Sequence, residues 1–196
     1  TDHGPGAELI LVEGDSAQSS VVAVRNGRTQ AVLPLRGKPM NAWAASAEKV
    51  AQHLLFQQLA QALGLPSSTA LPGDGIAALR YERIVLLMDP DADGIHIGAL
   101  VQLYFARWLP ALIDAGALWL VRAPMAEIVD ADGVIHHALT PDHAQRILRS
   151  LPADPAPALR SLRSLGGFAP ETLRRLCVDP ATRLARPVVA GDVQQV

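Results

Sequence analysis

The chain has 196 residues and a mass of 20.8 kDa, with 49% hydrophobic and 18% charged residues. No apolar run approaches the roughly 20 residues that a membrane-spanning helix needs, and the hydrophobic content is too high for a disordered chain. The length suits one domain with a sizeable core, and the net charge of −2 does not indicate a general nucleic-acid binder.

The charge is unevenly distributed along the chain. Residues 1–142 hold nine of the 17 basic and 15 of the 19 acidic residues, whereas residues 143–187 hold eight arginines and three acids. This asymmetry allows one face to bind a polyanion while another binds cations, although a solvated arginine-rich tail explains it equally well. The single Cys177 excludes an internal disulfide, and with no signal peptide in view we expect a reducing cytoplasm.

Hydrophobic runs predict an alternation of strands and helices. Short apolar runs predict strands over 8–14, 30–35, 83–88 and 118–121. Helical spacing predicts helices over 46–64, ending on Gly64, and along one stripe from Ile97 to Leu112. This order favours an α/β fold, a parallel sheet flanked by helices with functional groups at the carboxyl ends of the strands.

The C-terminal third predicts smaller elements. Asp132-Gly133 lies between two apolar pairs and is typical of a hairpin turn. Thr140-Pro141 predicts a helix start, residues 152–157 a stiff linker, and residues 171–177 a helix. We expect residues 1–125 to form a metal-binding core, which residues 126–196 complete as the hairpin, helix and C-terminal strand and helix of the same domain.

Acidic residues follow two of the predicted strands. Asp89, Asp91 and Asp93 alternate directly after the strand over 83–88, and Glu13 and Asp15 follow the first strand. If these strand ends are neighbours, four or five carboxylates lie within a few ångströms, which is costly unless a divalent cation neutralises them. Oxygen ligands without His or Cys favour Mg²⁺ over zinc.

The pattern Asp-x-Asp-x-Asp-Gly has other interpretations. It opens a calcium-binding EF-hand loop, but the twelfth loop position is Leu100 in place of a bidentate Glu, and a strand precedes the loop. A phosphohydrolase with Asp89 or Asp91 as nucleophile fits better, although it leaves Glu13 unexplained. A simple polar turn is the plainest alternative.

Five short blocks stand out when the chain is read in order: Glu13-Gly-Asp-Ser-Ala17, Leu33-Pro-Leu-Arg-Gly-Lys38, Asn41 with Trp43, Asp89-x-Asp-x-Asp-Gly94 with His96-Ile97, and Leu165-Gly166 with Pro170. In this order and spacing they resemble the Toprim domain of bacterial type IIA topoisomerases, above all that of the topoisomerase IV B subunit and next that of the gyrase B subunit. The resemblance covers nearly the whole chain.

The resemblance implies a Rossmann-like Toprim fold and a site for Mg²⁺, for which Mn²⁺ can substitute. In that family a tyrosine of the partner A subunit attacks the DNA backbone beside the metal. By position, Glu13 is expected to be the general acid/base and a metal ligand, and Asp89 and Asp91 are expected to be metal ligands. Asp93 is expected to be a second-site ligand or to orient the first two.

The resemblance also implies contacts to DNA. Lys38 corresponds to a phosphate-binding lysine, with Arg36 and Arg163 as further DNA-binding candidates, and a solvent-facing turn is the alternative for Lys38. His96 is expected either to orient a carboxylate or phosphate or to serve as a structural histidine.

We find no glycine-rich ATPase motif, so we expect no ATP site in this chain and an ATPase domain in cis or in trans. Both tyrosines are expected to pack in the core, so the nucleophile would come from elsewhere.

The chain departs from the family at several positions that face DNA. Gln18-Ser19 replaces a Gly-Gly pair, and Arg25-Asn26-Gly27 replaces Arg-Asp-Arg. Residues 163–167 keep a cation at Arg163 but lose an acid at Gly167, and Glu127 stands where the family has a cation. The metal-binding acids persist while the DNA-facing groups thin out.

Three functions remain open at this stage. The first is the Mg²⁺-binding Toprim domain of a divergent type IIA topoisomerase B subunit, which acts on DNA with a tyrosine-bearing A subunit in the cytoplasm, at the bacterial nucleoid, without a membrane partner. The second is a catalytically silent Toprim-like protein that binds and modulates a topoisomerase. The third is a metal-dependent nuclease, which would hydrolyse DNA without any partner.

Overall fold

Two sheets and a set of helices organise the chain in the computed structural model, which describes residues 2–71 and 75–193. The strands are β1 (Gly4–Glu13), β2 (Gln30–Leu35), β3 (Tyr81–Leu87), β4 (Leu118–Val121), β5 (Ala126–Val129), β6 (Ile135–Ala138), β7 (Ala158–Ser161) and β8 (Ala185–Pro187). The helices are α1 (Gly14–Val24), α2 (Ala47–Gln52), α3 (Leu54–Leu63), α4 (Ala92–Trp108), α5 (Pro110–Asp114), α6 (Pro141–Ser150), α7 (Pro170–Leu173) and α8 (Ala190–Val193). Short 3-10 turns cover Gly75–Ala78 and Leu165–Gly167, and a π turn covers Arg174–Val178.

The larger sheet has the strand order β2-β1-β3-β4-β8. β1 pairs in parallel with β2 and β3, and β3 pairs in parallel with β4, while β8 runs antiparallel to β4. Because helices connect the parallel strands, their carboxyl ends meet at one edge of the sheet. The predicted α/β fold, a mostly parallel sheet flanked by helices, is confirmed.

Side chains of β1 alternate between two apolar layers. Leu9 and Leu11 pack with α2 to α5 on one face, and Ile10 and Val12 pack with α1 and the chain from Leu162 to Val178 on the other. All four are at most 2% exposed, which explains why β1 appears as an unbroken apolar run without polar alternation. Cys177 belongs to the second layer, where burial raises its thiol pKa to about 12.

The smaller sheet has the order β6-β5-β7 and packs α6 against one face. Gly133 has a φ of +79° in the turn between β5 and β6, so the predicted hairpin is confirmed. Thr140 caps α6 by accepting a hydrogen bond from the His143 amide, as its sequence indicated. After β7 the chain returns to the larger sheet.

Two predicted helices are each divided in the structure. The one over 46–64 breaks at His53, which has extended dihedral angles, and there the Gln57 side chain donates to the Ala51 carbonyl. The apolar stripe from Ile97 to Leu112 breaks at Leu109, because Pro110 cannot donate a helical hydrogen bond and disfavours a helical residue before it. Gly64 ends α3 in the left-handed conformation, as predicted.

A buried ion pair joins Glu8 of β1 to Arg183, which lies just before β8. The Arg183 guanidinium donates to both carboxylate oxygens of Glu8, at 2.6 and 2.8 Å, and Gln30 donates to Glu8 at 2.9 Å. Glu8 is 2% exposed and Arg183 is 9% exposed.

Among the described helices, none is both long enough and apolar enough to cross a bilayer.

Candidate metal centre

The predicted acidic residues lie at the carboxyl ends of the two central strands. Glu13 is the last residue of β1, and Asp89 lies two residues beyond the end of β3, the strand directly beside it. Asp91 is the N-cap of α4, and Asp93 lies in the first turn of that helix. Because β1 lies beside β3, Glu13 is close enough to all three aspartates for their charges to act on its carboxyl group, as the sequence predicted for neighbouring strand ends.

The Glu13 carboxyl is held in an environment that opposes its ionisation. Burial raises its pKa most, and the charges of Asp89, Asp91 and Asp93 raise it further, while Lys38 partly offsets them. Its Oε2 atom is buried and has no hydrogen-bond partner. A buried carboxylate oxygen without a donor is unfavourable, so this atom has the properties of a ligand for a proton or a cation.

Asp89 is fixed by a part of the chain that is distant in sequence. The backbone N–H of Leu165, in the 3-10 turn Leu165–Gly167, donates to Asp89 Oδ1 at 2.8 Å. Burial raises the pKa of Asp89, this hydrogen bond lowers it, and the charge of Asp91 raises it again. Leu165 belongs to one of the five blocks of the family resemblance, but a backbone donor has no side-chain signature, so the sequence did not indicate this contact.

Asp91 and Gly94 set the geometry of the helix start. Asp91 Oδ1 accepts a hydrogen bond from the Gly94 N–H at 2.8 Å, which satisfies one of the free amides of the first turn of α4. A Cβ atom on Gly94 would lie 2.9 Å from the backbone nitrogen and 3.0 Å from the carbonyl carbon of Asp89, and closer still to its carbonyl oxygen. The glycine of the motif therefore permits the close approach of α4 to the strand end.

Asp93 is paired with Lys38. The Lys38 Nζ donates to Asp93 Oδ1 at 2.8 Å across 55 residues of sequence, and this contact lowers the pKa of Asp93. Both side chains are about half exposed. The candidate DNA-binding lysine therefore contacts the candidate metal site directly, a link that the sequence did not indicate.

In the described part of the chain, the remaining candidates form no hydrogen bond with Glu13, Asp89, Asp91 or Asp93. Arg36 donates to Asp15 Oδ1 at 3.0 Å on the exposed surface. Arg163 is exposed and lies two residues before Leu165. His96 is exposed in α4 and only weakly lowers the pKa of Asp93; within residues 2–71 and 75–193, no hydrogen bond joins it to a carboxylate.

The carboxylate oxygens of the four acids are the type of ligand that a hard divalent cation binds, but in this structure the side chains do not surround a single point. One oxygen each of Asp89, Asp91 and Asp93 is held by Leu165, Gly94 and Lys38, respectively. In the described part of the chain, no group of three His, Cys, Asp or Glu side chains is already arranged to hold a metal ion. The donor set of carboxylates and the unpartnered Glu13 oxygen nevertheless match what Mg²⁺ requires.

Both tyrosines of the chain are buried. The Tyr104 hydroxyl donates to the Ser68 carbonyl at 2.6 Å, and its ring stacks on Phe56 at a centroid distance of 4.2 Å. Burial raises the pKa of Tyr104 far above its usual value. Tyr81 is 9% exposed at the start of β3, the opposite end of the strand from the acids.

Comparison with known proteins agrees with this arrangement. The Toprim domain model matches residues 8–121, which include all four acids. Over 192 residues the chain is 36% identical to the DNA topoisomerase 4 B subunit of Caulobacter vibrioides, covering 97% of this chain and 27% of that protein. It is 34% identical to the protein of the same name from Haemophilus influenzae and 33% identical to that from Escherichia coli, each over 177 residues, 90% of this chain and 27% of the relative.

The chain thus spans about a quarter of the length of the curated relatives that it matches. The family model covers more than half of the chain and runs from the middle of β1 to the end of β4, through the parallel strands of the larger sheet. The chain belongs to the Toprim domain family and is related to the B subunits of bacterial topoisomerase IV.

Proposed function

We propose that this chain is the Mg²⁺-binding Toprim domain of a divergent type IIA topoisomerase B subunit. In this role it supplies the carboxylate half of a DNA cleavage and religation centre, and a tyrosine of a partner A subunit supplies the nucleophile. The observation that carries the proposal is Glu13, whose buried, unpartnered Oε2 lies at the end of β1 beside three aspartates from the end of β3.

The electrostatics of the four acids favour the binding of a cation. Burial and the neighbouring aspartates raise the pKa of Glu13, which means that the folded chain disfavours the fully ionised cluster. A divalent cation reverses this penalty, because it is attracted by each carboxylate that repels the others. Glu13, Asp89 and Asp91 are the proposed ligands, with Asp93 as a second-site ligand or an orienting residue.

Each acid has a distinct task in this proposal. Glu13 exchanges a proton with the 3′-oxygen of the cleaved strand, for which a raised pKa is suited. Asp89, held by the Leu165 N–H, and Asp91, held as the helix cap, would bind the metal through the carboxylate oxygens that these contacts leave free. When bound, the metal stabilises negative charge on the leaving oxygen during phosphoryl transfer.

The nucleophile must come from outside this chain, since Tyr81 and Tyr104 are both buried. The relatives are named as B subunits of DNA topoisomerase 4, and we propose that an A subunit, an ATPase domain and DNA are the partners. Lys38, Arg36 and Arg163 are the proposed phosphate contacts. We further propose that residues 1–125 and 126–196 act as one domain and that the protein works at the nucleoid in the bacterial cytoplasm.

A calorimetric titration of Mn²⁺ tests the proposal. Wild type, Glu13→Gln and Asp91→Asn are titrated with and without a short nicked DNA duplex. Asp114→Asn serves as the control, because Asp114 is exposed at the end of α5, away from the carboxyl ends of the strands. We expect saturable binding by wild type and by the control, and weakened binding by the two site variants. Binding that is equal in all four proteins would contradict the assignment of these acids.

A catalytically silent Toprim-like protein is the second candidate, and the Lys38–Asp93 pair favours it. In this arrangement an ammonium group already neutralises one of the four acids, as a metal ion would. This candidate predicts that wild type binds no Mn²⁺ even with DNA present, yet still binds a topoisomerase A subunit. A nuclease would instead hydrolyse DNA alone with Mn²⁺, so the same samples incubated with supercoiled plasmid distinguish all three functions.

A further inference from the structure

A charged pair lies on the face of the smaller sheet that α6 leaves uncovered. Glu127 in β5 and Arg160 in β7 are opposite each other in the antiparallel register, and the Arg160 Nη1 donates to Glu127 Oε2 at 3.1 Å. The Glu127 side chain is only 9% exposed, whereas that of Arg160 is 61% exposed. The pair therefore has a buried anion and a cation that reaches in from the surface.

His137 completes the surroundings of Glu127 from β6, with its Nε2 3.6 Å from Glu127 Oε1. Burial lowers the pKa of His137, and the charge of Glu127 offsets this only in part, so the neutral form of the ring is favoured. Arg160 consequently supplies the positive charge that Glu127 needs as a buried carboxylate.

The second arm of Arg160 reaches the turn that holds Asp89. Its Nη2 donates to the carbonyl oxygen of Gly167 at 2.7 Å, and Gly167 is the last residue of the 3-10 turn whose first residue, Leu165, donates its N–H to Asp89. A continuous series of polar contacts thus leads from Glu127 through Arg160 and the turn to a proposed metal ligand.

The turn Leu165–Gly167 is costly to order, and the contact with Arg160 helps to fix it. Two of its three residues are glycines, which lose more conformational entropy on ordering than other residues do. The buried Leu165 side chain fixes the start of the turn in the apolar layer, and the 3.0 Å hydrogen bond from the Gly167 N–H to the Ser164 carbonyl is local. The contact from Arg160 to the Gly167 carbonyl ties the end of the turn to the smaller sheet.

We propose that Arg160, oriented by Glu127, is a positioning residue that holds the turn Leu165–Gly167 so that its backbone N–H aims Asp89 into the metal site. This inference rests on the proposed function, because it gives a purpose to the placement of Asp89. It assigns the smaller sheet a part in the site, although none of the proposed ligands lies on that sheet.

The test compares wild type with Arg160→Ala and Arg160→Lys, and Arg149→Ala is the control because Arg149 is also an exposed arginine and lies on α6. Two quantities are measured at a temperature where circular dichroism shows every variant folded. One is the hydrogen-exchange rate of the Leu165 amide in metal-free protein, and the other is the Mn²⁺ dissociation constant. A role confined to stability would lower the melting temperature without changing either quantity in the folded protein.

For Arg160→Ala we expect faster exchange of the Leu165 amide and Mn²⁺ binding weakened about tenfold, as when groups that orient metal ligands are removed. Arg160→Lys should retain most of the affinity, because an ammonium can donate to both the carboxylate and the carbonyl. Arg149→Ala should match wild type. If Arg160→Ala does not fold, Arg160→Met, which keeps the apolar stem and has no donor, replaces it in the same two measurements with the same expected result.

Wild-type Mn²⁺ binding together with unchanged binding in Arg160→Ala would overturn this inference and leave the proposed function intact. A loss in Arg160→Lys as large as that in Arg160→Ala would also overturn it. Failure of wild type itself to bind Mn²⁺, with or without DNA, would instead refute the proposed function, and the positioning role with it.

Discussion

Replacing Gly94 by alanine tests whether α4 must approach the end of β3 as closely as the structure has it. The new Cβ would lie 2.9 Å from the Asp89 nitrogen, 3.0 Å from its carbonyl carbon and closer still to its carbonyl oxygen. All three are backbone atoms, so the strain cannot be relieved by turning a side chain. Either the segment from Asp89 to Asp91 or the first turn of α4 has to move.

The size of the effect follows from two opposing contributions. Forcing an extra methyl group into a packed site costs about 1–3 kcal/mol. Alanine gains up to about 1 kcal/mol over glycine in a helix interior, and less at the first turn. We therefore expect Gly94→Ala to lower the free energy of unfolding by about 1–2 kcal/mol and to weaken Mn²⁺ binding, because the displaced segment carries Asp89 and Asp91.

Gly98→Ala is the matched control on the same helix. A Cβ there would lie 3.4 Å from Met88 Cγ, an ordinary contact with a flexible side chain. Urea unfolding followed by circular dichroism gives the stability of both variants, and calorimetry gives their Mn²⁺ affinity. Equal stability of the two variants, together with undiminished metal binding by Gly94→Ala, would refute the steric argument for this glycine.

Three further perturbations follow from the charges of the structure. Because the pKa of Glu13 is raised in the folded chain, its carboxyl group stabilises the fold fully below pH 4.5, and this contribution is lost as the pH rises through the raised pKa. Glutamine does not ionise, so metal-free Glu13→Gln should become progressively more stable than wild type as the pH rises from 4 to 7. A difference between the two urea midpoints that stays constant over this range would contradict the prediction. Lys38→Ala should strengthen Mn²⁺ binding without DNA, because its ammonium competes for a carboxylate, and should weaken DNA binding in a fluorescence-anisotropy titration; unchanged values in both assays would exclude Lys38 from the site. Arg183→Ala should cost about 3–5 kcal/mol in urea unfolding, since it removes both guanidinium hydrogen bonds of the buried Glu8 and leaves only Gln30 and the Arg83 guanidinium, 3.6 Å away. A loss below about 1 kcal/mol would show that these two partners are sufficient.

The central part of the fold was predictable because its signals are local. The run of β1 is apolar on both faces, and only a strand covered on both sides places Leu9 and Ile10 in different buried layers. The Asp132-Gly133 turn and the Thr140 cap were predictable for the same reason, since each depends on the conformational preferences of two or three adjacent residues.

Helix breaks illustrate where local signals succeed and where they fail. The break at Leu109 could have been predicted, because Pro110 disfavours a helical conformation in the residue before it. The break at His53 has no such signal in the sequence. There the Ser68 hydroxyl donates to the Val50 carbonyl at 3.4 Å, so a neighbouring loop supports the chain where the helix ends.

For the candidate site, the sequence by itself determined which residues we propose for the chemistry: three alternating aspartates after one strand, a glutamate after another, and a glycine at the helix start. The tertiary structure alone decided how they are held, because strand order and long-range contacts do not follow from local patterns. It placed β1 beside β3, paired Lys38 with Asp93 across 55 residues, and brought the Leu165 N–H to Asp89 across 76 residues. A backbone donor or an exposed lysine has no pattern of its own in the sequence, and the meeting of distant segments gives it a partner.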